Sequence, residues 1–232
     1  MKHSLYIRYG KRALDAVLSS VGLIFLAPLF LVCGLLIKLS SRGPIFFRQV
    51  RTGLGGEPFR LYKFRSMVCQ PPAQESLLTA SGDPRITRVG NWLRKTKIDE
   101  LPQLINVARG QMSLVGPRPE VPRYTDTYTR EQRRVLSVLP GITGLASIAF
   151  SSEEQLLAGQ PDKEHFYVTT LMPLKLEIDL QYCSQISFWG DLRILLLTLI
   201  AISGGPKPSQ SPFGGSSDIS TRADGPTSLT SQ

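Results

Sequence analysis

VLSSVGLIFLAPLFLVCGLLI, residues 17–37, runs for 21 residues without a charged side chain. At about 1.5 Å per residue, a continuous helix of that length crosses the hydrocarbon core of a bilayer. The stretch is longer than the apolar region of a secretory signal, and no small-residue cleavage site follows Ile37. Pro28 sits near its middle, where a missing N–H and a ring that clashes with the preceding turn break a helix. Lys2, Arg8, Lys11 and Arg12 precede the stretch, and Lys38, Arg42, Arg48 and Arg51 follow it. Positive residues mark the cytoplasmic face, so cations on both flanks fit a segment that enters and leaves by one side. A single spanning helix is the other reading, and the residues alone leave the two open.

Outward from this stretch, the 232 residues give room for one ordinary domain and carry a formal charge of +9. Residues 204–232 hold Lys207 and Arg222 against Asp218 and Asp224, so the whole excess lies in residues 1–203. Such a balance fits nucleic acid, an anionic membrane face or phosphate-bearing substrates. Cys33, Cys69 and Cys183 are far apart, without a CxxC or a histidine at ligand spacing, which speaks against a disulfide framework and a zinc site. A reducing, cytosolic setting is the simplest reading. His3 and His165 are the only histidines, so a histidine-based triad is not expected. The chain divides into an N-terminal membrane segment over residues 1–39, a main domain over 40–203 and a Gly-, Pro- and Ser-rich tail over 204–232, expected to be disordered.

Residues 43–67 read as two extended runs, IFFRQVR and PFRLYKF, joined by GLGG. That pattern is a hairpin. The glycines are expected to form its turn rather than a phosphate cradle, because no GK[ST] follows and no helical pattern opens after them. Lys63 and Arg65 fall on one side by strand alternation. Residues 69–82, polar and proline-containing, are expected to form a mobile loop.

The chemistry concentrates in LRKTKIDELPQLINV, residues 93–107. Apolar residues from Leu101 follow a helical period, which puts Asp99 and Glu100 in a first turn, where a helix favours negative charge. Adjacent helical positions point about 100° apart, so the pair suits two jobs rather than one shared proton. A carboxylate can be a nucleophile towards phosphorus or carbon, and hard oxygens suit Mg²⁺. Arg85, Arg88, Arg94, Lys95 and Lys97 lie just ahead, as a structural ion-pair network or as a clamp for an anionic phosphate ester. In SLVGPRPEVP, residues 113–122, Pro117 and Pro119 fix the backbone around Arg118, a setting that suits bidentate phosphate recognition. Further on, residues 128–139 look helical and basic, residues 151–154 fit a capping box, and residues 163–184 read as a helix kinked near Pro173. Ser187 opens SFWGDLRILLLTLIAIS, a core helix or one lying at a membrane interface.

With its neighbours, KIDELPQLINVARGQMSLVGPRP, residues 97–119, resembles the signature block of the bacterial sugar transferases, the monotopic phosphoglycosyl transferases. GPIFFRQVRTGLGGEPFRLYKFRSM, DPRITRVGNWLRKT, PGITGLAS and SFWGDLRILLLT match in the same order, over roughly residues 8–200. The resemblance implies an α+β, mostly helical monotopic membrane protein with an N-terminal re-entrant helix-break-helix, a small β-hairpin and amphipathic interfacial helices. It implies an enzyme of the bacterial inner membrane, its catalytic domain on the cytoplasmic face against anionic lipids. There a UDP-sugar gives its sugar-1-phosphate to polyprenyl phosphate and UMP is released, as the first membrane step of a polysaccharide or glycoconjugate. Asp99 would be the nucleophile that carries the phosphosugar, and Glu100 would help hold Mg²⁺ with Asp99 and assist proton transfer. Lys63, Arg65, Arg94, Pro117, Arg118 and Pro119 would contact the substrate.

Two departures stand out. Ala27 precedes Pro28 where the family usually has a serine, and the tryptophan and GR-type sequence of many relatives are absent after Gly144, so the sugar is not named. A nucleic-acid binder would account for the charge but not for residues 17–37 or for acids amid the cations. An idle scaffold with the same fold would be favoured by an altered acidic pair, and both acids are present. A homodimer is left open.

Overall fold

The apolar segment breaks at Leu26, directly before Ala27-Pro28. In the computed structural model, which describes residues 6–68 and 82–203, helix α1 spans Lys11–Phe25 and helix α2 Ala27–Ser40, with a bend of 61° between them. Pro28 stands in the first turn of α2, where its missing N–H interrupts no ladder. Among the described residues no single helix is long and apolar enough to cross a membrane, and the bent pair reaches that length and composition only together. Ile24, Phe25, Leu31 and Leu39 point outward, each more than seven-tenths exposed. Cys33 and Ile37 bury inward against Phe64 and Leu93.

The partner of α2 is a hairpin of β1, Phe46–Thr52, and β2, Pro58–Phe64, paired antiparallel with Phe46 opposite Phe64 and Thr52 opposite Pro58. The GLGG run is its turn: Gly53 donates to the Glu57 carbonyl at 2.8 Å, and Gly55 and Gly56 take φ of 68° and 90°, open to glycine at no steric cost. Phe64 stacks on Phe46 and meets Phe30 of α2 edge-on at 5.1 Å. Helix α3, Arg88–Lys95, starts at Thr87, whose Oγ1 accepts from the Gly90 N–H at 2.8 Å. It lies so close to the strand end that a Cβ on Gly90 would stand 1.8 Å from the Ser66 carbonyl oxygen.

The rest of the chain runs through α4 (Gln103–Ala108), β3 (Ser113–Val115), α5 (Pro122–Thr125), β4 (Gly141–Thr143), α6 (Leu145–Ala149), α7 (Glu153–Ala158), α8 (Lys163–Phe166), α9 (Met172–Ser184) and α10 (Phe188–Ile202). The mostly helical architecture with a small antiparallel hairpin agrees with the sequence reading. A parallel pair, β3 with β4, was not foreseen. It holds the 117–119 loop, since Gly141 donates to the Pro117 carbonyl at 2.8 Å and a Cβ on Gly141 would lie 2.1 Å from the Gly116 nitrogen. The larger core packs Val115, Tyr124, Leu145, Ile148, Leu171, Leu176 and Ile194. Asp191 ties the N-terminus to this core, accepting from Tyr6 at 2.6 Å, from Lys11 and from Tyr182 at 2.8 Å.

Three local expectations change. Residues 128–139 hold only one 3-10 stretch, Gln132–Ser137. Residues 163–184 split into α8, a π-helical turn at Tyr167–Leu171 and α9, with Pro173 in the first turn of α9, so the kink becomes a change of helix type. The capping box does not form, because Glu154 pairs with Arg94 instead. The expected tail over 204–232 and, but for Gly82, the expected mobile loop over residues 69–82 lie outside the described residues.

Candidate active site

Lys97 adopts a left-handed backbone, φ 57°, and the chain then makes a single 3-10 turn, Ile98–Glu100. Asp99 and Glu100 ride on that turn, not on the first turn of α4. Pro102, with no N–H to donate, separates the two. The turn faces a cleft of ≈ 1270 Å³ whose walls come from the hairpin, α3, the 117–119 loop, α6, α7 and α10.

Glu100 is clamped. Arg118 donates a fork to it, Nη2 to Oε1 at 2.7 Å and Nη1 to Oε2 at 3.2 Å, and Lys63 adds a third bond to Oε1 at 3.0 Å. Burial alone would raise this carboxyl, but Arg118 and Lys63 outweigh it and hold Glu100 well below the ordinary range. Glu100 in turn pushes Arg118 upward, and burial pushes Lys63 down. Held low, Glu100 is a carboxylate, able to take up a proton rather than to supply one.

Asp99, one residue away, is buried to 6% exposure and its Oδ1 has no hydrogen-bond partner. Burial raises its carboxyl, and Lys63, the largest opposing charge, does not cancel the effect. Two adjacent acids are thus driven in opposite directions, the pattern that separates chemical roles.

The structure brings Lys63 and Arg118 onto the acidic pair. Pro117 and Pro119 are buried beside them, and the Pro119 carbonyl accepts from Arg51 Nη1 at 3.0 Å. Arg94 lines the same cleft but pairs with Glu154, with Ser66 Oγ at 3.5 Å. Arg65 also lines the cleft, yet its guanidinium turns to the end of α2, donating to the Ser41 carbonyl at 2.7 Å and the Ile37 carbonyl at 3.3 Å. Arg85, from the basic run, closes on Asp83 at 2.6 Å.

A profile described as bacterial sugar transferase matches residues 6–205. The chain belongs to that family. It is 42% identical over 192 residues to the UDP-glucose:undecaprenyl-phosphate glucose-1-phosphate transferase of Caulobacter vibrioides, covering 82% of this chain and 68% of that protein. It is 39% identical over 196 residues to the enzyme of the same name from Escherichia coli K12, covering 83% of this chain and 40% of that one. The UDP-N-acetylgalactosamine-undecaprenyl-phosphate N-acetylgalactosaminephosphotransferase of Aeromonas hydrophila is 39% identical over 201 residues, with 84% and 44% covered. The chain therefore spans less than half the length of the last two relatives.

Sequence reasoning missed a second layer in the cleft wall of this sugar transferase. Glu120 accepts from the Tyr167 hydroxyl and lies 3.6 Å from Arg51 and 3.5 Å from Lys175, while Lys175 donates to Glu153 at 2.9 Å. Burial would raise Glu120, but Lys175 and Arg51 bring it below its ordinary value. Only Glu120, directly after Pro119, carried a positional hint. For a metal, the described residues hold no group of three or more His, Cys, Asp and Glu side chains. What the cleft offers is the unpartnered Asp99 oxygen beside Glu100. That set fits Mg²⁺, which binds through one or two carboxylates and takes its other ligands from water and substrate phosphates.

Proposed function

We propose that this sugar transferase moves a sugar-1-phosphate from a UDP-sugar to polyprenyl phosphate, releasing UMP, through a phosphosugar carried on Asp99. The supporting observation is the contrast on one turn: a buried, unpartnered Asp99 oxygen next to a fully clamped Glu100. A carboxylate oxygen of Asp99 attacks the sugar-bearing phosphorus. The bond from that phosphorus to the UMP oxygen breaks, and UMP leaves with the electron pair. An oxygen of polyprenyl phosphate then attacks the same phosphorus and displaces the Asp99 carboxylate, giving the polyprenyl diphosphate sugar and restoring the enzyme.

Phosphoryl transfer depends mainly on positioning and charge neutralisation. Arg118 and Lys63 are placed for both, fixed by Glu100 before substrate arrives, and Arg94 offers a third cation once Glu154 yields it. Mg²⁺, held by Asp99 and Glu100 together with substrate phosphate oxygens, would neutralise diphosphate charge. In the same reading α1 and α2 dip into the cytoplasmic leaflet of the bacterial inner membrane and return, with Trp189 at headgroup level and the product entering polysaccharide or glycoconjugate assembly. Cysteines introduced near residues 4 and 60, labelled in sealed vesicles, should be reached from the same side, and opposite sides would exclude the re-entrant path.

The reaction is tested by UMP release from a panel of UDP-sugars with purified protein, polyprenyl phosphate and Mg²⁺. Release should require the metal, stop with a chelator, and fall by about six orders of magnitude in Asp99→Asn, the scale seen for a lost nucleophile. Equal release from the variant would remove Asp99 from the chemistry and favour an idle scaffold.

A further inference from the structure

Two adjacent acids open α7 and take their cations from different elements. Glu153 accepts from Lys175 of α9 at 2.9 Å, and Lys175 is buried, donating also to the Tyr167 hydroxyl at 3.2 Å. Removing Glu153 from that buried ammonium is costly, so this acid pins α7 to the wall. Glu154 instead pairs with Arg94 of α3, and its side chain is 45% exposed. Water competes for an ion pair so placed, and a carboxylate released from it meets solvent at little cost. One acid of α7 is fixed and its neighbour is exchangeable.

Arg94 is the cation set free by such an exchange. It lines the cleft with Lys63, Asp99 and Arg118, and its charge is felt at the Asp99 carboxyl. Lys63 and Arg118 are committed to Glu100, whose side chain is 15% exposed. Arg94 is held less completely. Its Nε is buried without a hydrogen-bond partner among the described residues, and its Nη1 reaches Ser66 Oγ only at 3.5 Å. A guanidinium with unused donors favours a phosphate, which presents more oxygens to its fork than a carboxylate does.

We propose that Glu154 is an exchange residue for the nucleotide: it occupies Arg94 in the free enzyme, yields it to a phosphate oxygen of the bound uridine nucleotide, and takes it back as UMP leaves. The exchange rests on the reaction proposed above, which supplies the nucleotide. It carries a sign. Because the phosphate must displace Glu154, this acid weakens nucleotide binding and speeds the departure of UMP. An acid that merely braced α7 would have the opposite effect, since its loss would loosen the wall and weaken binding.

The experiment is equilibrium binding of UMP to the full chain in bilayer discs, wild type against Glu154→Gln. The variant should bind UMP about three- to fivefold more tightly, the range that an exposed ion pair can supply, and release it correspondingly more slowly. High salt should shrink the gain. With Arg94→Ala already in place, Glu154→Gln should change UMP affinity less than about twofold, because the two groups act on one contact. Equal or weaker UMP binding in Glu154→Gln would overturn the exchange, and so would a gain that persists without Arg94, which would mark a general charge effect. Glu154→Asp keeps the charge and shortens the reach, so a gain of the same sign but smaller is expected, and a loss would favour bracing. Binding needs no turnover, so these results decide the exchange even if Asp99 proves not to be the nucleophile. Failure of UMP to bind either protein would overturn the nucleotide reading along with it.

Discussion

Asp99 and Glu100 share one turn, yet one meets a fork of cations and the other an unpartnered oxygen in a buried wall. Both lose water on burial, so burial alone cannot separate them. Partners do: Arg118 and Lys63 overcome desolvation at Glu100, while at Asp99 Lys63, with smaller help from Arg94 and Lys97 and against Glu100, fails to do so. The difference shows how two adjacent acids on one turn acquire opposite settings, one with an unpartnered oxygen and one that fixes the cations around it.

The contrast can be broken at its strongest point. Glu100→Gln leaves the turn intact but releases Arg118 and Lys63 from their anchor, and kcat should fall about 10² to 10³-fold, the scale of a lost preorganised charge contact. Because Glu100 raises the Asp99 carboxyl, its neutralisation should also move the acid limb of the residual activity to lower pH. An acid limb that stays in place would mean that the two carboxylates do not feel each other. Arg118→Lys comes next. A lysine keeps one charge and loses the bidentate geometry, so kcat/KM should drop about 10- to 100-fold, and a full rescue by lysine would show that the fork is dispensable.

The mildest test carries the comparison to a third buried acid. Asp179 of α9 has Lys175 near it but no fork, and burial raises it to about 7. A raised carboxyl stabilises the fold fully below its unfolded value of 3.8, and that contribution is lost as pH climbs through about 7. Asp179→Asn does not titrate, so its stability relative to wild type should improve across that window, by up to roughly 1.4 kcal/mol per pH unit. Melting temperatures of both proteins at pH 5 and pH 7 check this. A constant difference would mean that Asp179 is ionised throughout.

Much of this was legible in the chain because the signals are local. Pro28 marks the break in residues 17–37, and strand alternation with GLGG gives the hairpin almost to the residue. The acidic pair and Arg118 stand out by composition. What could not be read depends on distant contacts. Glu120 and Tyr167 lie 47 positions apart and meet only in the folded wall. Strands of three residues, such as β3 and β4, are too short to show a period. The capping box in residues 151–154 failed for a related reason: a local pattern competes with tertiary partners, and Arg94 claims Glu154. The opposed settings of Asp99 and Glu100 were equally hidden, since adjacency in sequence says nothing about which acid Arg118 will reach.

The most direct measurement locates the phosphosugar. The enzyme would be incubated with a UDP-sugar labelled at the sugar-bearing phosphate and no acceptor, treated with borohydride to reduce any acyl phosphate, and read residue by residue by mass spectrometry. The account predicts a reduced side chain at Asp99, an unmodified Glu100, and loss of the label when polyprenyl phosphate is added before reduction. Modification of Glu100, or UMP release with neither acid modified, would contradict it.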